Sequence, residues 1–137
     1  MPRSVGVAVM TKPTEAQCQQ AIVAAAKLGG WLVHAERPAP TQSGKWSTPI
    51  QGHKGFPDLV LISPDHRTII IAELKRRPNK VTAEQVTWLD AFSDFARFHE
   101  IEPRQEWLQL WGLHVCVWYV PEEQDAICTA LAAGRVP

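Results

Sequence analysis

The sequence of 137 residues is poor in cysteine, has a formal net charge of zero and contains no long apolar segment. Its three cysteines form no CxxC pair and leave one over in any pairing, which argues against a zinc knuckle or a disulfide framework. No run approaches the roughly 18 apolar residues that a membrane-spanning helix needs, and residues 5–10 are too few for the core of a signal peptide. We therefore expect a cytoplasmic protein with reduced cysteines, no membrane partner and no organic cofactor.

The balance of charge conceals a separation along the chain. Residues 1–80 contain eleven Lys or Arg and five Asp or Glu, whereas residues 81–137 contain three and nine. Binding of a polyanion depends on the local potential and not on the total charge, so the basic portion is compatible with a nucleic-acid partner. Charge alone does not distinguish this interpretation from a solvated surface with a chance asymmetry.

The residues that are present favour one folded domain. The chain is 45% hydrophobic and 20% charged, as is typical of folded soluble proteins, and its length suits a single domain with a real core. We expect a flexible N-terminal tail over residues 1–13 and a single domain over residues 14–137. Within the domain, the periodicity of apolar residues predicts an α/β protein with the element order α-β-β-β-α-β-α.

Two capping boxes predict where helices begin. Thr14 precedes Gln17 by three residues and Thr82 precedes Gln85 by three, so in each pair the side chains can bond each other's backbone N–H. The first helix should end at Gly29-Gly30, where a positive φ is sterically allowed, and the second should reach about residue 98. The predicted inward faces are Cys18, Ile22, Ala25 and Ala26 in the first helix and Val86, Leu89, Phe92 and Phe95 in the second.

Four segments have the composition of strands, namely residues 31–34, 58–63, 67–75 and 113–120. The last of them is apolar enough to be buried on both faces. Turn residues at 64–66 predict that the second and third strands form a hairpin. Pro and Gly interrupt residues 35–56, which we expect to form a long basic loop or a ragged hairpin, and residues 100–109 form an acidic segment.

The predicted hairpin carries charged residues where apolar ones are expected. Glu73 and Lys75 lie two positions apart, so they share a strand face with Ile69 and Ile71, where a charge needs a partner. If Asp58 lies across the hairpin from Glu73, the two carboxylates converge on a position that suits a hard divalent cation. The alternative is that Asp58 is a turn residue and the other two form an exposed pair on an edge strand.

Two acids and a lysine in this arrangement suit phosphodiester hydrolysis. A bound metal polarises the phosphate and lowers the pKa of a water molecule, and a lysine beside it can orient that water or offset negative charge. Acids alone repel a DNA backbone, so we expect nearby basic residues to contact phosphates, unless they are simply solvated. The candidates for this DNA-binding role are Lys45, His53, Lys54, Arg76, Arg77 and Lys80.

The residues 55–58 (GFPD), followed by residues 73–75 (ELK), resemble the pattern of the PD-(D/E)XK nuclease superfamily. Residues 85–89 (QVTWL) in the next helix and 112–115 (GLHV) at the entry to the last strand are similar to its VRR-NUC branch, found in phage proteins and in eukaryotic repair nucleases. The resemblance covers about residues 14–133, with five elements in the right order.

This resemblance implies a restriction-endonuclease-like core, with a mixed central sheet flanked by helices, that requires Mg²⁺ or Mn²⁺ and cleaves DNA. Asp58 and Glu73 match the metal ligands of the motif. Leu74 matches the position whose backbone carbonyl often joins the metal shell, and Lys75 matches the catalytic lysine.

Two further residues match the catalytic set of this family. Glu15 matches the acidic residue that many members carry in the first helix, and Gln85 matches a helix glutamine characteristic of the branch. Each has a rival role, because Glu15 complements the dipole of its helix and Gln85 completes a capping box.

The resemblance also implies branched DNA as the substrate. The sequence has no helix-turn-helix or zinc-finger module, so we expect recognition of DNA shape, with resolution of a four-way (Holliday) junction favoured and a homodimer placing two sites on two strands. The alternatives are a flap or other structure-specific nuclease and a non-catalytic DNA-binding module with the same fold. The Pro-rich loop before Gly55 and the segment 100–109 depart from the family pattern and affect substrate choice more than catalysis.

Overall fold

A computed structural model describes residues 11–36, 39–40, 46–47, 50–101 and 112–137. In these residues the chain forms three helices, a four-stranded mixed sheet and a two-stranded sheet, which confirms the predicted α/β class. Apart from two very short strands, the order of elements is the predicted one. The elements are α1 (Glu15–Leu28), β1 (Leu32–Ala35), β2 (Ala39–Pro40), β3 (Trp46–Ser47), β4 (Leu59–Ile62), β5 (Thr68–Lys75), α2 (Ala83–Ile101), β6 (Gly112–Tyr119) and α3 (Gln124–Ala132).

The larger sheet has the strand order β1-β4-β5-β6. β4 pairs antiparallel with both β1 and β5, so the predicted hairpin is confirmed, whereas β5 and β6 run parallel. A parallel pair needs a long crossover connection, and α2 lies in that connection. The short strands β2 and β3 pair antiparallel within the segment predicted to be a basic loop or a ragged hairpin.

The hydrophobic core joins the sheet to α1 and α3. Because side chains alternate along a strand, the even-numbered residues of β5 face this core, and Glu73 and Lys75 lie on the opposite face. Trp31 donates its indole N–H to the carbonyl of Leu131 (3.1 Å) and so ties the segment before β1 to α3. The core comprises Cys18, Ile22, Ala26, Trp31, Leu59, Leu61, Ile70, Ala72, Leu74, Trp118, Val120, Ile127 and Leu131.

The first helix begins and ends as the sequence predicts. Thr14 Oγ1 accepts the N–H of Gln17 (3.1 Å), and Gln17 Oε1 accepts the N–H of Thr14 (2.8 Å). Gly29 caps the helix, and Gly30 follows with a positive φ of 84°. Of the predicted inward residues of α1, Ala25 is half-buried and the other three are buried.

The second helix does not bury the predicted stripe. Val86 and Phe95 have exposed side chains, at 41% and 59%, so this part of the prediction is wrong. The other two predicted residues, Leu89 and Phe92, are half-buried. Phe92 stacks on Trp88, and both rings pack against Phe56, so the inward face is shifted toward Trp88. The helix also continues to Ile101, beyond the predicted end near residue 98.

The last strand is also less buried than predicted. β6 lies at one end of the described sheet, its His114 is exposed, and most of its other side chains are half-buried. Lys45, residues 1–10 and residues 102–111 lie outside the described residues, so the predictions for them, including most of the acidic segment, stay predictions. None of the described helices is long and apolar enough to cross a membrane.

We expect Gly29→Ala to destabilise the protein by about 3 kcal/mol, because a Cβ at this position would overlap the carbonyl oxygen of Leu131 in the backbone of α3. Gly112→Ala is the matched control, since its Cβ would come no closer than 3.4 Å, to the side chain of His114. Urea unfolding of both variants measures the difference. Equal stability of the two variants would contradict the close contact of α1 with α3.

Candidate active site

Asp58 and Glu73 face each other across the β4–β5 hairpin. The register pairs Leu59 with Ala72, so the next pair toward the end of the hairpin is Asp58 and Glu73. Directly opposed residues of an antiparallel pair project from the same face of the sheet. The convergence of the two carboxylates, which the sequence analysis posed as a condition, is therefore present.

The Asp58 carboxylate is held by the main chain of the neighbouring strand. Its Oδ2 accepts the backbone N–H of Leu74 (2.8 Å). In an extended strand the N–H and C=O of one residue point to the same side, so the Leu74 carbonyl is directed toward the side on which Asp58 lies. This is the carbonyl that the family resemblance assigns to the metal shell.

Glu73 is almost completely buried, with only 1% of its surface exposed. Its Oε1 accepts the amide N–H of Gln85 (2.6 Å) and lies 3.7 Å from Nζ of Lys75, which is itself buried. Its Oε2 is buried and has no hydrogen-bond partner among the residues that the structure describes. A buried carboxylate oxygen without a partner is costly unless the carboxyl group is protonated or a cation lies beside it.

The capping box of α2 sets the orientation of the Gln85 amide. Gln85 Oε1 accepts the backbone N–H of Thr82 (2.8 Å), while Thr82 Oγ1 accepts the N–H of Gln85 (3.2 Å). With its oxygen committed to Thr82, the amide presents its nitrogen to Glu73. The sequence offered two roles for Gln85, as a helix cap and as a site residue. The amide oxygen performs the first role and the amide nitrogen the second.

Burial raises the pKa of both central acids. It raises the pKa of Glu73 to about 8, with the charge of Asp58 adding to the effect and the charge of Lys75 opposing it. Burial also raises the pKa of Asp58, and the backbone N–H of Leu74 partly offsets that rise. Two carboxylates that resist ionising together are the arrangement that a divalent cation would stabilise.

Two further acids surround this pair. Glu15, at the start of α1, is half-buried, and its pKa is raised by that burial and by the charge of Asp58, while Lys75 and the backbone N–H of Arg76 lower it. Glu36 directly follows β1, donates its backbone N–H to the carbonyl of Asp58 (3.1 Å), and its charge contributes to the raised pKa of Asp58. The predicted Glu15 therefore belongs to this electrostatic cluster, and Glu36 joins it.

The predicted DNA-binding residues differ in their surroundings. His53, Lys54 and Lys80 are exposed, and Arg76 is half-buried at the end of β5. Arg77 is exposed, but its guanidinium lies 4.0 Å from the ring centre of Tyr119 and 3.9 Å from a carboxylate oxygen of Glu122. These contacts give Arg77 a structural role in joining the end of β5 to the β6–α3 connection. Lys45 lies outside the described residues.

The oxygen ligands at the site fit a hard divalent cation such as Mg²⁺ or Mn²⁺. Asp58, Glu73 and the Leu74 carbonyl supply only oxygen, and the unpartnered Oε2 of Glu73 is the atom that most needs a positive charge beside it. Among the described residues, no group of three or more His, Cys, Asp and Glu side chains has the arrangement of a complete metal site. Water or a substrate phosphate would have to complete the shell, as is usual for Mg²⁺.

Sequence reasoning missed Glu36 and the role of Trp88. Glu36 reaches the site because β1 pairs with β4, and that non-local pairing places it beside Asp58. The only signal in the sequence was its position two residues after the predicted strand 31–34. Trp88, which the sequence analysis included only in the matched segment 85–89, donates its indole N–H to the carbonyl of Lys54 (3.0 Å), four residues before Asp58.

No protein-family model matches the chain, and neither a curated protein nor a solved structure is significantly similar to it. The resemblance to the PD-(D/E)XK superfamily therefore stays a prediction from short motifs. A functional proposal has to be supported by the geometry of Asp58, Glu73, Lys75 and Gln85.

We expect Gln85→Glu to separate the capping role of this residue from its contact with Glu73. A glutamate still accepts the Thr82 N–H but cannot donate to Glu73, and its charge repels that carboxylate. We expect a loss of about 2 kcal/mol in the free energy of unfolding at pH 8, the usual value for a hydrogen bond to a charged group.

The matched control is Gln17→Glu, which makes the same change in the exposed capping box of α1. It should shift the free energy of unfolding by less than about 0.5 kcal/mol. Urea unfolding at pH 8 measures both. Equal effects of the two substitutions would contradict a contribution from the Gln85–Glu73 contact.

We expect the metal-free protein to lose stability as the pH rises from about 5 to about 8. The pKa of Glu73 is raised from 4.5 to about 8 in the folded protein, so the folded state binds the proton more tightly than the unfolded state. The free energy of unfolding should therefore fall across this interval, by an amount on the order of a few kcal/mol.

Urea unfolding in EDTA at several pH values tests this trend. The variant Glu73→Gln should reduce the slope, and Mn²⁺ should stabilise the wild-type protein more at pH 8 than at pH 5. A stability that rises over this interval in the wild-type protein would contradict the raised pKa.

Proposed function

We propose that this protein is a metal-dependent DNA endonuclease of the PD-(D/E)XK type, with a restriction-endonuclease-like core similar to the VRR-NUC branch. One observation supports this most directly. The buried Glu73 has one carboxylate oxygen held by Gln85 and close to Lys75, and a second oxygen that lacks a partner on the face of the sheet shared with Asp58. Such an arrangement is poor design for a purely structural core and suits a site that binds a cation.

The residues divide the work of hydrolysis. Asp58 and Glu73, with the Leu74 carbonyl, would hold the ion, and Gln85 keeps Glu73 in place through Oε1. A cation held there would polarise a phosphate and lower the pKa of a water molecule. Lys75, with its ammonium 3.7 Å from Glu73, is placed to orient that water and to offset negative charge on the phosphate.

Basic residues around the acids make the approach of DNA possible. Lys54 and Lys80 are exposed, and Arg76 lies half-buried directly after Lys75 at the end of β5. Their positive charge opposes the repulsion between the acidic cluster and a DNA backbone. We propose that the protein acts on branched DNA. A four-way junction is the favoured substrate because a homodimer would present two sites to two strands.

The test compares cleavage of a labelled four-way junction, a flap and a linear duplex in Mg²⁺, Mn²⁺ and EDTA. We expect Glu73→Gln to lower the rate by about a thousandfold or more, because the ion loses a charged ligand. Junction binding in Ca²⁺, measured by gel mobility, should be retained. The control Asp125→Asn removes an exposed carboxylate from the first turn of α3 and should cleave at the wild-type rate.

The outcomes distinguish the alternatives. Preferential cleavage of the flap would replace junction resolution with a flap nuclease. Binding without cleavage by the wild-type protein in both metals would indicate a non-catalytic DNA-binding module. Wild-type activity in Glu73→Gln would eliminate the assigned site, and light scattering of the protein with and without junction DNA tests the homodimer.

A further inference from the structure

Trp88 connects α2 to the segment that carries Asp58. It lies three residues after Gln85 on α2 and donates its indole N–H to the carbonyl of Lys54 (3.0 Å). The hydrogen bond spans 34 residues of sequence. One helix therefore contacts Glu73 through Gln85 and the segment before Asp58 through Trp88.

Aromatic packing reinforces this connection. The Phe56 ring meets the Trp88 ring edge-on at a centroid distance of 5.1 Å, and Trp88 and Phe92 are stacked with centroids 6.0 Å apart. Such pairs stabilise by roughly 0.5–1.5 kcal/mol beyond their buried area. Phe56 thus fixes the chain two residues before Asp58.

The backbone of the same segment approaches α2 closely at Gly55. This residue has a φ of +92°, and a Cβ placed on it would lie 2.6 Å from the carbonyl carbon of Glu84 and 2.8 Å from the nitrogen of Gln85. Only glycine permits both the conformation and the approach. The segment therefore packs directly on the turn of α2 that holds Gln85.

We propose that Trp88 is a positioning residue for the two metal-binding acids. With Phe56 and Gly55, it fixes the segment before Asp58 on the first turns of α2, and so sets the position of Asp58 relative to the Glu73–Gln85 pair. The hairpin register brings Asp58 opposite Glu73, but Asp58 lies one residue before the start of β4. The position of its carboxylate, which accepts the N–H of Leu74, therefore also depends on the segment that precedes it. The inference rests on the proposed metal-dependent function for its effect on metal affinity.

The Leu74 amide reports the position of Asp58 without any metal. Its N–H is bonded to Asp58 Oδ2, so its hydrogen-exchange rate and NMR chemical shift respond when that carboxylate moves. The affinity for Mn²⁺ is an independent second reading. Amide exchange has to be compared under conditions where local opening dominates over global unfolding. Under those conditions, neither the exchange rate of the Leu74 amide nor the Mn²⁺ affinity should change if Trp88 contributes only to global stability.

The decisive variant is Trp88→Phe, which removes the N–H donor and keeps an aromatic ring. Its matched control is Trp31→Phe, which removes an equivalent indole-to-carbonyl bond, to Leu131, in the core beneath α3. In Trp88→Phe we expect exchange of the Leu74 amide to accelerate about fivefold and Mn²⁺ affinity to fall about tenfold. In Trp31→Phe we expect both quantities to match the wild-type protein, although its melting temperature should fall.

Gly55→Ala provides a second variant, since it pushes the same segment away from α2 without altering any aromatic ring. It should reproduce the effects of Trp88→Phe on the Leu74 amide and on Mn²⁺ affinity, including if Trp88→Phe does not fold. An unchanged Leu74 amide in the folded variants would overturn the positioning role, as would equal changes in Trp31→Phe. Absence of Mn²⁺ binding and cleavage in the wild-type protein would overturn the proposed function, while the Leu74 amide would still decide the role of Trp88.

Discussion

The burial of Glu73 beside Asp58 is the constraint on which the rest of the site depends. A carboxylate with 1% of its surface exposed and one unpartnered oxygen is unfavourable unless it is protonated or has a cation beside it. The surrounding contacts do not remove this cost, because Gln85 and Lys75 both address the other oxygen. A positive charge beside Glu73 would lower the free energy of its ionised form. This is the reason to infer a metal-dependent activity.

Three separate parts of the fold meet at this acid. The β4–β5 register places Asp58 opposite it, the first turn of α2 supplies Gln85, and the start of α1 contributes the nearby charge of Glu15. The core lies on the other face of β5, where Ile70, Ala72 and Leu74 pack with α1 and α3. The alternation of one strand thus separates the residues that stabilise the protein from those assigned to its chemistry.

The features that were predictable from the sequence are those determined by short-range rules. Both capping boxes depend on residues three apart, and the hairpin depends on a turn flanked by two strands with alternating faces, so all of them form as predicted. The inward face of α2 depends instead on Phe56, which is distant in sequence and meets the rings of both Trp88 and Phe92 edge-on. For that reason Val86 and Phe95, which fit the helical period, are exposed.

The candidate site follows the same division. Spacing alone placed Glu73 and Lys75 on one face, and local pairing brought Asp58 to them, so these residues were within reach of sequence reasoning. Glu36 was not, because it reaches Asp58 only through the pairing of β1 with β4. No periodicity in the chain encodes that pairing.

The described cations near the candidate site differ in burial, and the proposed function gives them different tasks. Lys75 is buried beside Glu73 and cannot attract DNA over a distance, so its charge acts on groups within the site. Lys54 and Lys80 are exposed, and their charge extends into solvent, where it contributes to attraction of a polyanion over about 10 Å at 0.1 M salt. Arg77 has neither of these tasks, because its guanidinium already contacts the Tyr119 ring and the Glu122 carboxylate. The proposed binding of DNA by a chain of zero net charge therefore depends on exposed cations that lie near the acids they have to offset.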